Sequence, residues 1–85
     1  MNHHWQVGDL AVFVDDLIDG QRVLYPAPSI KTMIELNQNV IMTVVNPYPD
    51  YYHNHIIVYA DGYVGFVVKT YVKKLITHGT KKKIS

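Results

Sequence analysis

The chain has 85 residues, no cysteine and a formal net charge of +1 at pH 7. A chain of this length builds one hydrophobic core, and the lack of cysteine excludes disulfides and thiolate metal sites. No stretch has the pattern of a signal peptide or the length of a membrane span. We therefore expect one soluble cytoplasmic domain over residues 1–76, followed by a disordered basic tail over residues 77–85.

The charges are separated along the chain. Four of the seven acidic residues fall within the first 20 positions, namely Asp9, Asp15, Asp16 and Asp19. Six of the eight Lys and Arg residues follow position 68, namely Lys69, Lys73, Lys74, Lys81, Lys82 and Lys83. This separation suits head-to-tail contact between copies or a basic tail on phosphates. A solvated tail that only aids solubility explains it equally well.

The first half of the chain predicts two strands and a long loop. The β-rich run "LAVFV" predicts a strand near residues 10–14. Asp19-Gly20 and the prolines at 26 and 28 interrupt regular structure, so residues 15–29 are predicted to form a long, partly folded loop. Apolar and polar residues alternate through 29–36, which predicts a strand. Ser29 also fits the N-cap of a helix, which is the alternative there.

The second half predicts three more strands. Residues 40–45, "VIMTVV", are strongly strand-forming, whereas Pro47 and Pro49 place residues 46–54 in a loop. "HIIVY" and "YVGFVV" are joined through Asp61-Gly62, the composition of a type I′ hairpin turn. Residues 69–75 fit a short turn and a closing strand. Five short strands and a closing one, without a long helix, predict a small all-β barrel.

Two segments resemble the Src-homology-3 type of barrel. "ELNQNVIMTVV" resembles the sharp turn into that family's second long strand. "DGYVGFVVKTYVKKL" resembles its ending, with Gly65 in a hairpin strand and a short turn capped by Tyr71. "GDLAVFV" and "VYADG" also resemble short barrel proteins of bacteria and phages. The resemblance implies a five-stranded barrel and a structural or accessory role in a bacterium or a phage, in the cytoplasm or the virion.

The family's peptide pocket is only partly matched. Tyr71 stands at the family's closing aromatic position, and Phe13 stands near its first-strand aromatic. The tryptophans of the third strand are missing, since Trp5 is at the other end of the chain, and the expected proline is Val68. Proline-rich ligands dock on aromatic grooves. The resemblance therefore implies an incomplete groove, and proline-peptide recognition is not expected.

Three predicted strands are apolar on both faces. Between Leu36 and Val68 the only charged residues are Asp50 and Asp61, although a lone barrel should alternate apolar and polar positions. The outer face is expected to be covered, either by the first loop through Leu17, Ile18, Val23 and Leu24, or by another copy or protein. The sequence leaves open which face is inward. The predicted protein-binding residues are Phe13, Ile41, Val45, Tyr48, Tyr51, Tyr52, Ile57, Tyr59, Phe66 and Tyr71.

The loop "YPDYYHNH" contributes three of these residues, because tyrosine offers a large contact area with one polar tip. Packing of the same tyrosines onto the barrel end is the alternative. His53 and His55 share a face, yet no third metal ligand is evident, and no catalytic motif is present. We expect a non-enzymatic protein-binding or assembly module without a cofactor or metal. Nucleic-acid binding is the alternative, through Lys69, Lys73, Lys74, Lys81, Lys82 and Lys83.

Overall fold

The fold is known from a computed structural model that describes residues 4–75. Seven antiparallel strands form one sheet in the order β3-β2-β6-β5-β4-β1-β7, which does not close on itself. The strands are β1 (Leu10–Phe13), β2 (Val23–Pro26), β3 (Ile34–Glu35), β4 (Met42–Asn46), β5 (His55–Ala60), β6 (Tyr63–Val68) and β7 (Val72–Lys74). A 3-10 helix, Lys69–Tyr71, joins β6 to β7. The all-β prediction is confirmed, and the predicted tail at 77–85 lies outside the described residues.

The hairpin of β5 and β6 forms as predicted. Its register runs from His55 opposite Val68 to Ala60 opposite Tyr63 without a break. The turn residues Asp61 and Gly62 have φ angles of 53° and 87°, and a type I′ turn requires positive φ at both of these positions. The turn composition therefore sets the register of the whole hairpin.

The first loop contains more structure than its sequence predicts. β2 lies inside it and pairs with β6 through Tyr25 opposite Phe66, and with β3 on its other side. The strand predicted over 29–36 is reduced to the two residues of β3, and no helix starts at Ser29. A strand extends only as far as a neighbouring strand pairs with it, and β3 pairs only with Val23 and Leu24 of β2. The sheet therefore has seven strands rather than the five of the predicted barrel, and β2 is the one described strand that no predicted strand covers.

The core lies on one face of the sheet, and most of its side chains come from β1, β4 and β5. Ile56 and Val58 of β5 point inward, so Ile57 and Tyr59 point outward. Sequence reasoning left this parity open. The buried cluster consists of Trp5, Ala11, Phe13, Leu24, Leu36, Met42, Val44, Ile56, Val58, Ala60, Val67 and Val72.

A β-bulge in β4 interrupts its pairing with β5. Val44 is opposite Val58, but the next pair is Asn46 with Ile57, so Val45 is the extra residue. A bulge bends its strand and re-aims the side chains beside it. The bulge leaves Val45 exposed on the side away from the core.

Candidate functional site

The sheet has an apolar surface on the side opposite the core. Tyr59 of β5 and Val64 of β6 are directly opposed there, with 50% and 45% of their side chains exposed, and Val45 beside them is 43% exposed. No Asp, Glu, Lys or Arg occurs among the residues of this surface, which we call the outer face. The outer face consists of Leu10, Thr43, Val45, Ile57, Tyr59 and Val64, and exposed Ile41 adjoins it before β4 begins.

The first loop does not cover the outer face in the described part of the chain. Leu24 belongs to the core cluster and Leu17 packs against it, whereas Val23 is buried outside that cluster. Ile18 is largely exposed. Leu17 and Leu24 are thus used on the core side, and Val45, Tyr59 and Val64 stay exposed. The first loop therefore does not provide the predicted cover for these three residues.

An aromatic cluster ends the outer face where β5 begins. The Tyr52 ring lies 4.7 Å from the Phe66 ring, centre to centre, and the His55 ring lies 6.0 Å from Tyr25 and 6.1 Å from Tyr52. Phe66, which the sequence predicted as part of an exposed patch, is buried beneath Tyr52. Tyr52 therefore covers Phe66, whereas the residues of the outer face beyond this cluster stay exposed to solvent.

His55 lies inside the aromatic cluster without a partner for one ring nitrogen. Its Nδ1 atom is buried and makes no hydrogen bond. Burial among the rings disfavours the charged imidazolium, so the pKa of His55 is lowered from its usual value. The neutral ring is the form that this cluster stabilises.

The loop between β4 and β5, residues 47–54, presents two tyrosines to solvent. Tyr48 is exposed and its backbone N–H donates to Asn46 Oδ1 at 2.9 Å, while Tyr51 is 88% exposed. Pro47 and Pro49 are buried and anchor the loop. Tyr51 has a φ of 71°, a left-handed conformation that costs about 1–3 kcal/mol for a residue with a side chain. The loop thus holds a strained and fully displayed aromatic residue.

A cleft opens beside these tyrosines. Its volume is about 320 Å³, and its lining combines two prolines with polar and charged side chains, namely Pro47, Tyr48, Pro49, Asp50, His53, His55 and Lys69. Within the described residues, no three His, Asp or Glu side chains come together as metal ligands would. The cleft therefore combines an apolar wall of prolines with polar and charged groups.

The remaining predicted contact residues lie apart from the outer face. Phe13 is only 3% exposed and belongs to the core, so it forms no binding surface. Tyr71 lies half-buried in the 3-10 helix, where its hydroxyl accepts a hydrogen bond from Gln21 Nε2 at 3.3 Å. The structure thus brings together Val45, Ile57 and Tyr59 on the outer face, and leaves Phe13 and Tyr71 at the β1–β7 end.

The lysines predicted for nucleic-acid contact are partly engaged within the chain. Lys73 Nζ lies 3.8 Å from Asp15, and Lys74 Nζ lies 3.4 Å from Asp9. Lys69 lines the cleft, and residues 81–83 lie outside the described region. These ion pairs offset the positive charge near β7, and nucleic-acid binding stays a prediction.

The sequence analysis did not select two residues of this region, one on the outer face and one in the aromatic cluster. Val64 was not selected, although the hairpin register places it opposite Tyr59. Tyr25 was assigned to a loop because Pro26 follows it, whereas it lies on β2 and meets His55 edge-on. The signal for Val64 was available, since a two-residue turn fixes which residues face each other.

The described part of the chain contains no helix capable of crossing a bilayer. Comparison of the chain with family models, with curated proteins and with solved structures gives no match.

Proposed function

We propose that this protein is a binding module that assembles with copies of itself through the outer face. The observation that supports the proposal is the uncovered apolar surface formed by Val45, Tyr59 and Val64. Apolar area removed from water contributes about 25 cal/mol per Å². A contiguous apolar surface on a small domain is a typical site of protein contact.

Charge favours a second copy as the occupant of the outer face. The face carries no charged side chain, so two outer faces can meet without bringing like charges together. The net charge of +1 adds little repulsion between copies. Exposed Asp15 and Asp16 on the first loop and Lys73 on β7 then supply polar contacts at the rim, where charge mainly orients a complex.

The Src-homology-3 type of barrel is our proposal for the fold family. It is supported by the order of the elements after Asp61: a hairpin strand containing Gly65, a 3-10 helix that includes Tyr71, and a final strand that pairs with β1. We do not extend the proposal to proline-peptide recognition, because Phe13 is buried. A structural or accessory role in a bacterium or a phage accords with a small assembling module and forms part of the proposal.

The test is the molar mass in solution as a function of concentration. Sedimentation velocity from 10 µM to 1 mM, roughly the range in which weak interfaces populate, should show reversible association of the wild-type protein. Val64→Lys places a charge on the outer face directly opposite Tyr59 and should shift the chain to monomer. Ile18→Lys is the matched control, because Ile18 is exposed on the first loop. A wild-type protein that stays monomeric throughout this range would contradict the proposal.

A further inference from the structure

We infer that Tyr51 anchors this self-association by inserting its ring into the cleft of a second copy, which the partner's Pro47 and the partner's Pro49 help to line. The inference rests on the proposed function and identifies a second point of contact for it. Because the same loop carries both the ring and the cleft, the exchange is reciprocal. Such reciprocity is what a twofold symmetric interface requires.

The conformation of Tyr51 is the first observation behind the inference. Only two residues other than glycine have positive φ in the described chain, Asp61 and Tyr51. Asp61 has a local reason, since a type I′ turn demands positive φ and tolerates Asp. At Tyr51 the backbone demands the same region, where glycine or asparagine is favoured over an aromatic residue. The loop geometry therefore does not explain why this residue is tyrosine.

The exposure of Tyr51 is the second observation. Its ring is 88% exposed, so it contributes almost no burial that would offset the strain. The neighbouring Tyr52 shows the contrast, because its ring packs on Phe66 at the end of the outer face. A tyrosine that gains nothing within its own chain fits a role in contact with another, since tyrosine supplies a large contact area at low entropy cost.

The cleft matches a phenol ring in size and chemistry. Its volume of about 320 Å³ corresponds to roughly ten water molecules, which is enough for the ring and its hydroxyl. Pro47 and Pro49 give it an apolar lining, while Asp50 and Lys69 provide polar groups for the hydroxyl. Asp50 can accept a hydrogen bond from the hydroxyl, and the Lys69 ammonium can donate one to it.

The area of the interface also calls for this contact. A face of four strands, which are 4, 5, 6 and 6 residues long, covers on the order of 300–400 Å², whereas a stable interface takes about 800 Å² from each partner. Each inserted tyrosine adds about 150–250 Å². The loop lies at the end of the outer face, because Tyr52 sits on Phe66, and Phe66 is directly opposite Ile57 of that face. The two contacts therefore form one continuous surface.

Stability and association should respond in opposite directions when Tyr51 is replaced. Tyr51→Gly and Tyr51→Asn relieve the backbone strain, so the Tm of the folded chain should rise by about 4–8 °C. The same variants should weaken self-association at least tenfold in sedimentation velocity. Ile18→Asn, on the exposed first loop, is the control and should leave association unchanged. A merely structural tyrosine would lower the Tm on replacement, which would overturn the inference.

Disulfide trapping tests the partner site directly, because the chain has no cysteine of its own. A Tyr51→Cys chain mixed with a His53→Cys chain should form the mixed disulfide on mild oxidation, identified by mass spectrometry. The pair of Tyr51→Cys with Ile18→Cys is the control and should cross-link much less. Equal yields would overturn the inference. Association that is lost with Val64→Lys but kept with Tyr51→Gly would overturn it while leaving the proposed function intact, and a wild-type monomer would overturn both.

Discussion

Lys74 holds its ammonium nitrogen 5.6 Å from the centre of the Trp5 ring. The same group donates to the carbonyl oxygen of His4 at 2.6 Å and pairs with Asp9 at 3.4 Å. Asp9 in turn accepts a hydrogen bond from the backbone N–H of Gln6 at 2.8 Å. The segment before β1 is thus fastened to β7 by one lysine, while the indole beneath it belongs to the core.

Replacement of Trp5 should be among the most damaging single changes. Trp5→Ala removes a buried indole and leaves a cavity, so it should lower the free energy of unfolding by about 3–5 kcal/mol. That loss is large beside a total of about 5–15 kcal/mol, and urea denaturation measures it. Lys74→Met keeps the alkyl stem and should cost about 1 kcal/mol or less, because the amine is partly exposed. Equal losses would mean that the amine, rather than the buried indole, carries the contact.

Gly65 should not tolerate a side chain. A Cβ at this position would meet the carbonyl oxygen of Tyr25 and would lie 2.6 Å from Leu24 Cδ2. β2 would have to move away from β6, so Gly65→Ala should destabilise the fold by about 1–3 kcal/mol. Val64→Ala, one residue earlier on the exposed side, is the control and should cost less. If Gly65→Ala proved neutral in denaturant unfolding, β2 would not lie this close to β6 in solution.

Stability should fall with acid because of His55. The folded-state pKa of His55 is lowered by desolvation, so below about pH 6.5 the unfolded chain binds a proton that the folded chain resists. The Tm should be constant above about pH 7.5 and should fall as the pH drops through the unfolded-state pKa toward the folded one. His55→Gln should flatten this part of the pH profile, whereas His53→Gln, at an exposed position, should not. A wild-type Tm that rose on acidification through this window would reverse the assigned sign.

Gln21 should matter more than its hydrogen bond to Tyr71 alone implies. Its Nε2 donates to the Tyr71 hydroxyl at 3.3 Å, and its Oε1 accepts from the backbone N–H of Ile18 at 2.9 Å. Tyr71→Phe removes only the first contact and should cost about 0.5–1 kcal/mol. Gln21→Ala removes both contacts and should cost more. A double-mutant cycle measures the shared contact, and equal losses for the two single variants would show that the turn at Ile18 contributes nothing.

The sequence predicted the second half of the fold better than the first. Asp61-Gly62 fixed the hairpin because a tight turn leaves one register, and Pro47 and Pro49 marked the loop because they cannot donate to a ladder. In the first half, the prediction failed for the strand whose pairing partner is distant in the sequence. Tyr25 belongs to a strand only because β6 lies beside it, and no local pattern shows such a partner.

The predictions for the candidate site succeeded and failed for similar reasons. Alternation predicted that Ile57 and Tyr59 share a face, and they do. Phe66 alternates with Val67 just as regularly, yet Tyr52 covers it. The sequence gives no indication that Tyr51 has a positive φ, because tyrosine disfavours this conformation. The burial of Phe66 by a distant side chain and the strained backbone of Tyr51 therefore could not be predicted from the sequence.

The place of β1 between β4 and β7 has a consequence for how the molecule assembles its fold. Ala11 pairs with Met42 on one side and with Lys74 on the other, so the first of the seven described strands to be synthesised cannot complete its pairing until the last of them is made. Contacts so distant along the chain slow folding, and they leave a bare strand edge while synthesis continues. Nascent chains that stop before β7 should therefore expose β1 to chaperones, and the β5–β6 hairpin should gain its amide protection first.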